Sequence, residues 1–108
     1  MKRILVAATL LMATNLAFAE EQVCRSIEGL AENAMQFRQA NVPMNKAMEL
    51  ADAVAVEDEA NQSLKGLTQQ LITTAYKQPV QKDTAQQSAA VTGFGNAVYS
   101  SCMQESSR

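Results

Sequence analysis

The sequence predicts an all-α protein, a small bundle of three to four helices with one disulfide joining the first helix to the last. Three observations carry that prediction. Apolar residues recur every three or four positions in long stretches, which is the period of a helix face. Prolines and polar clusters interrupt those stretches at regular distances. The two cysteines, Cys24 and Cys102, stand at far ends of the chain, each on or beside an apolar stripe.

Ahead of the helices comes a targeting segment. Lys2 and Arg3 precede an apolar run from Ile4 to Met12, and Ala17-Phe18-Ala19 supplies the small-residue site at which a signal peptidase cuts. The run is shorter than the roughly 20 residues of a membrane-spanning helix, and Thr14 and Asn15 interrupt its far end. Residues 1–19 therefore read as a signal peptide, and residues 20–108 as a single helical domain with no membrane span after cleavage. No cysteine directly follows Ala19, so a lipid anchor is not expected. The segment points to the bacterial periplasm, with secretion as the alternative. Both destinations are oxidising, so a disulfide forms and persists there.

From Glu20 to Asn41 the apolar positions Val23, Ile27, Leu30, Ala34 and Phe37 fall within an arc of about 80 degrees at 100 degrees per residue. Glu28, Glu32, Gln36 and Gln39 gather on the other side, the expected wet face. Asn41-Val42-Pro43 ends this helix, because a residue before proline is pushed out of the helical region. A shorter second helix starts near Pro43 and presents Met44, Met48, Ala51 and Ala55. Glu57-Asp58-Glu59 then suits the positive end of a helix dipole, with Asp58 as a cap. Nothing after it follows calcium-loop spacing, so no metal site is expected there.

The third helix runs through Ala60, Leu64, Leu67, Leu71 and Ala75 until Pro79 stops it. Ile72 and Tyr76 form a second ridge more than 90 degrees from that stripe. The last helix begins at Asp83 or Thr84, where Thr84-Ala85-Gln86-Gln87 has the form of a capping box, and it buries Val91, Phe94, Val98 and Cys102. Gly93 and Gly95 bracket Phe94 and allow a neighbour to approach closely or the helix to kink. They are not a dinucleotide fingerprint, since no strand precedes them and no third glycine follows. No cofactor site is expected.

Composition explains why a staple is needed. Of the residues after Ala19, 37 are apolar but 13 of these are alanine, which leaves about two dozen sizeable side chains for a core. A bond from Cys24 to Cys102 closes a loop of 79 residues. The chain-entropy model gives such a loop roughly 4.5 kcal/mol, set against a net stability of about 5 to 15 kcal/mol for a domain. An antiparallel pairing of the first and last helices would satisfy bond and burial together. No Cys-x-x-Cys spacing points instead to redox catalysis.

The same composition excludes functions. The chain's net charge is -2, and removal of Lys2 and Arg3 leaves seven basic against eleven acidic residues, so nucleic acid is not an expected partner. The chain has no histidine, which excludes His-based triads and His-ligated metals. No serine stands beside a base at a telling spacing, and Glu28 with Glu32 reads as solvated charge rather than as an acid–base pair. No catalytic residue is assigned and an enzyme is not expected. Arg38, beside Ala34 near the apolar stripe, must reach water or an acceptor. Arg38, Ile72 and Tyr76 are therefore the candidate binding residues, with core or cap duty as the alternative for each.

Cys24, Arg38-Gln39 with Val42-Pro43, Ala75-Tyr76 with Pro79, and Phe94 through Val98-Tyr99 to Cys102 together resemble a group of short exported proteobacterial helical proteins with a single disulfide and no assigned activity. The resemblance implies export, helicity and the bond, and it implies no site. The expected function is a periplasmic binding or interaction protein acting through surface contacts with a protein partner. An acid- or envelope-stress chaperone is the alternative, in which protonation of the eleven carboxylates loosens a cationic bundle. A histidine-free cell-wall enzyme ranks third.

Overall fold

The computed structural model describes the backbone of residues 2–54 and 59–106, and the side chains of residues 20–53 and 64–105. Four helices follow in order: α1 (Lys2–Gln39), α2 (Met44–Val54), α3 (Glu59–Ala75) and α4 (Thr84–Ser106). Cys24 and Cys102 are joined, with 5.6 Å between their alpha carbons. The all-α bundle with its first and last helices tied is thus the observed architecture. The Asp58 cap, Ala55 and the side chain of Ala60 lie outside the described residues, as do the side chains of the targeting segment.

α1 is the axis of the bundle. α4 runs along it antiparallel, α3 packs on it from another side, and α2 packs mainly on α3. At 1.5 Å per residue, the four residues of α4 past Cys102 bring its end level with Glu20, four residues before Cys24. With two neighbours on two sides, α1 buries a wider arc than one stripe. Among its described side chains, Cys24, Ala31, Ala34, Met35 and Gln39 are buried. Val23, assigned to the apolar stripe by spacing, is instead 53% exposed. Glu28 and Glu32, assigned to the wet side, are part-buried against α4.

Gly95 permits that approach. A Cβ there would lie 2.6 Å from Cγ of Glu32 and 3.4 Å from Cγ of Glu28, so only glycine fits without a shift. Gly93 has open space around it, so of the two glycines only Gly95 serves a close contact. The core itself is small and alanine-rich: Ala31, Ala34, Met35, Ala47, Leu71, Ile72 and Ala75, with Phe37, Met48, Phe94 and Val98 packed around it. Small side chains let helices approach, but each contributes little apolar area, at about 25 cal/mol per Å².

The helix ends follow local chemistry. α1 ends with Asn41 in the left-handed region, φ 60°. The N–H of Val42 donates to the Phe37 carbonyl at 2.9 Å and that of Asn41 to the Arg38 carbonyl at 3.0 Å, so two carbonyls of the last turn are satisfied. Pro43 starts α2 by offering its carbonyl to Ala47 at 3.1 Å. At α4 the cap is Asp83, whose Oδ1 accepts from the N–H of Gln86 at 2.7 Å. The Thr84–Gln87 box is not formed, because capping begins one residue earlier and the Gln87 amide turns to the Gln81 carbonyl at 3.0 Å.

Candidate functional site

Two arrangements of side chains stand out. The first gathers around the turn after α1 and the loop before α4. Arg38 donates from Nε to the Gln78 carbonyl at 2.8 Å, and its guanidinium lies 5.4 Å from the centre of the Tyr76 ring. The adjacent Gln39 is buried, and its amide works in both directions. Nε2 donates to the Pro79 carbonyl at 3.0 Å, and Oε1 accepts from the Gln81 N–H at 2.7 Å. The Tyr76 hydroxyl donates to the Val42 carbonyl, which ties the end of α3 to the α1–α2 turn. Burial raises the Tyr76 pKa above its ordinary value, while the Arg38 charge opposes the shift.

This cluster accounts for two of the three candidate binding residues. Arg38 and Tyr76 are brought together, and Nε of Arg38 and the Tyr76 hydroxyl both donate to the protein's own backbone. Ile72 is fully buried in the core, so the Ile72–Tyr76 ridge is not a surface that a partner could meet. Ile72 belongs to the same core cluster as Ala31, Ala34 and Met35 of α1 and Ala47 of α2, so the ridge is covered by the protein's own helices. Gln39 was assigned to the wet face of α1 and is instead buried, since a glutamine at a helix end carries no signal of the loop it will meet 40 residues later.

The second arrangement is apolar. α3 and α4 both lean on α1 and scarcely touch each other, leaving a groove of about 480 Å³ between them. Ile27 forms its floor, Leu67, Leu71 and Thr74 one wall, and Phe94, Ala97, Val98, Ser101 and Cys102 the other, with Glu105 at the end. Of the groove residues, Ile27, Leu67, Leu71, Phe94, Val98 and Cys102 were predicted to lie on buried faces, whereas Thr74, Ala97, Ser101 and Glu105 were not. That two of those faces would diverge and stay open was not legible, because helix periodicity says which residues face inward but not whether a neighbour arrives.

Beside the groove, Arg25 pairs with Glu28 at 3.2 Å and lies over the Tyr99 ring at 4.0 Å. The hydrogen bond to Glu28 is the main cause that raises its pKa. A shallower polar cleft on the other side of α4 is lined by amides and hydroxyls that include Gln36, Gln39, Thr84 and Ser88. Gln39 in it is already committed to the loop. Among the described residues there is no cluster of three or more acids, cysteines or histidines able to hold a metal, and no helix long and apolar enough to cross a membrane. Compared with known proteins, the chain matches no family model, no curated sequence and no solved structure.

Proposed function

We propose that the protein is an exported interaction module of the bacterial periplasm, which seats an apolar helix of a partner protein in the groove between α3 and α4. One observation carries the reading: two helical walls stand apart over a helical floor, with apolar side chains on all three. A fourth helix laid between them would complete a four-helix arrangement, in which each helix buries its stripe against its neighbours. The disulfide and the signal segment both favour an oxidising compartment. This function needs no reactive group.

A photo-reactive p-benzoylphenylalanine placed at Ala97, on the groove wall and exposed, tests it against the same group at Ser100, exposed but outside the groove. Irradiation in periplasm should yield a discrete protein adduct from position 97 and none from position 100. Ser101→Arg, which fills the groove from the rim, should remove that adduct. Equal adducts from both positions, or none from position 97, would overturn the reading.

A further inference from the structure

The polar cleft on the side of α4 away from the groove has two banks, each a row of polar side chains. On α4, Thr84, Ser88 and Thr92 follow one another at single-turn spacing. On α1, Glu32 and Gln36 stand at the same spacing, with Ala40 after them. The two helices run antiparallel, and the Cys24–Cys102 bond and the approach of Gly95 to Glu32 fix their register. Glu32 therefore lies at the Thr92 end of the hydroxyl row and Ala40 at the Thr84 end. The space between is about 420 Å³, within the range of roughly 300 to 1,000 Å³ common for small-molecule sites. The polar atoms along both banks are free. Ser26, Thr73 and Thr74 each donate their hydroxyl to a carbonyl one turn back in their own helix. Among the described residues, the hydroxyls of Thr84, Ser88 and Thr92 make no such bond, and the head groups of Glu32 and Gln36 have no hydrogen-bonding or charged partner. Gln39 and Gln87, the more buried amides of the cleft, are tied to the loop before α4 and hold that end in shape.

Glu32 is the one charged residue among those lining the cleft. Its stem is set against α4, where a Cβ on Gly95 would lie 2.6 Å from its Cγ and 3.2 Å from its Cδ. A carboxylate held part-buried in this way has given up some of its water, and a charged donor replaces that water best. We propose that this cleft binds a protonated amine carrying several hydroxyls, the chemistry of an amino sugar. The ammonium donates to the Glu32 carboxylate. The ligand's hydroxyls exchange hydrogen bonds with Thr84, Ser88 and Thr92, each of which can donate and accept, while the Gln36 amide can do both at once from the opposite bank. Sugars bearing phosphate or carboxylate are disfavoured, because Glu32 repels them and no lysine or arginine lines the cleft. From Thr84 to Thr92 the row spans about 12 Å at 1.5 Å per residue, so a ligand of two rings can use all of it. This site is separate from the groove and does not depend on how the groove is read.

The test is a nuclear magnetic resonance titration of the oxidised protein with three probes. They are the β-1,4-linked dimer of glucosamine, the same dimer N-acetylated and so uncharged, and putrescine, a diamine without hydroxyls. The amino-sugar dimer should shift amide signals in residues 32–40 and 84–92, while those of Ala97 and Ser101 in the groove stay still. The acetylated dimer and putrescine should each bind about 10-fold more weakly or worse. Glu32→Gln keeps the stem against Gly95 and removes the charge. It should lower the affinity for the amino-sugar dimer by roughly 10- to 100-fold, the worth of a charged hydrogen bond. Ser88→Ala/Thr92→Ala, both at exposed positions, should lower it by roughly 5-fold or more and leave putrescine unaffected. Equal binding of the charged and acetylated dimers, an unchanged affinity in Glu32→Gln, or shifts confined to the groove would overturn the proposal. So would putrescine binding as tightly as the amino-sugar dimer, or no binding of that dimer at millimolar concentration.

Discussion

At the Gln39 end of the bundle, neighbouring side chains of α1 hold the loop that leads into α4 by hydrogen bonds to backbone. At the Cys24 end, a covalent bond joins α4 to α1 while the space between α3 and α4 stays open. The difference is instructive about small domains. A hydrogen-bonded latch of this kind depends on buried, paired groups such as the Gln39 amide, which is spent on the loop in both directions. A covalent tie needs no such closure. It keeps α4 in place without the apolar contact between α3 and α4 that a bundle would otherwise require, and so the apolar surface remains available.

The largest effect should come from cutting the covalent end. Cys24→Ala/Cys102→Ala should lower the unfolding free energy by on the order of 4.5 kcal/mol in the chain-entropy model, measured by urea denaturation against the oxidised protein. A loss below about 1 kcal/mol, the size of a single ordinary hydrogen bond, would mean that α1–α4 packing alone fixes α4, and the contrast between the two ends would collapse.

Next in size is the hydrogen-bonded end. Gln39→Leu keeps the bulk of the side chain but leaves the Pro79 carbonyl and the Gln81 N–H without their partner. A fully buried group left unpaired costs about 1 to 3 kcal/mol; these two are part-buried and water can reach them, so the variant should lose roughly 1 to 3 kcal/mol in all in the same denaturation experiment. Arg38→Ala should lose less, because Arg38 makes its bond at the surface. If the two variants lost the same amount, burial of Gln39 would not be what gives this end its stiffness.

These two ends were not equally legible in the sequence. Helices, their order and the bond were readable, because apolar period, proline and cysteine placement act locally or through one strong constraint. Asn41-Val42-Pro43 announced the end of α1 through the proline rule, although Asn41 itself does the work by adopting a positive φ. The wet face assigned to Glu28 and Glu32 failed for a different reason. A residue pattern on α1 does not reveal a second neighbour whose own surface is a glycine, and Gly95 is what lets α4 come so close that carboxylate stems pack beneath it. Arg38 and Tyr76 were correctly singled out as side chains needing a partner, and the partner turned out to be distant backbone.

Gly95 offers a sharper cut between packing and propensity along α4. Alanine at either glycine gains up to about 1 kcal/mol of helix propensity. At Gly93, with open space, Gly93→Ala should show most of that gain. At Gly95 the new methyl meets Glu32, and overpacking of that kind costs about 1 to 3 kcal/mol, so Gly95→Ala should be destabilised by roughly 1 kcal/mol. Glu32→Ala in the same chain should recover the loss, which identifies the pair by a double-mutant cycle. Equal gains at both glycines would show that α4 rides further from α1 than the Gly95 contact implies.

The smallest effect is confined to alkaline solution and belongs to the hydrogen-bonded end alone. The neutral Tyr76 hydroxyl donates to the Val42 carbonyl, and burial raises its pKa above the ordinary value while Arg38 pulls the other way. A group whose folded pKa is raised binds its proton more tightly in the folded state. Its stabilising contribution is therefore complete below the unfolded value of about 10 and fades as pH rises from there through the folded value. Tyr76→Phe removes both the bond and the titration. The variant should lose about 1 kcal/mol at neutral pH, and the gap to the parent chain should narrow as pH climbs past 10, because an ionised phenol can no longer donate to Val42 and faces its carbonyl instead. Urea midpoints taken from pH 7 upward decide the matter: a gap that stays constant through the alkaline range would show that the hydroxyl contributes packing rather than a proton-dependent tie between α3 and the α1–α2 turn.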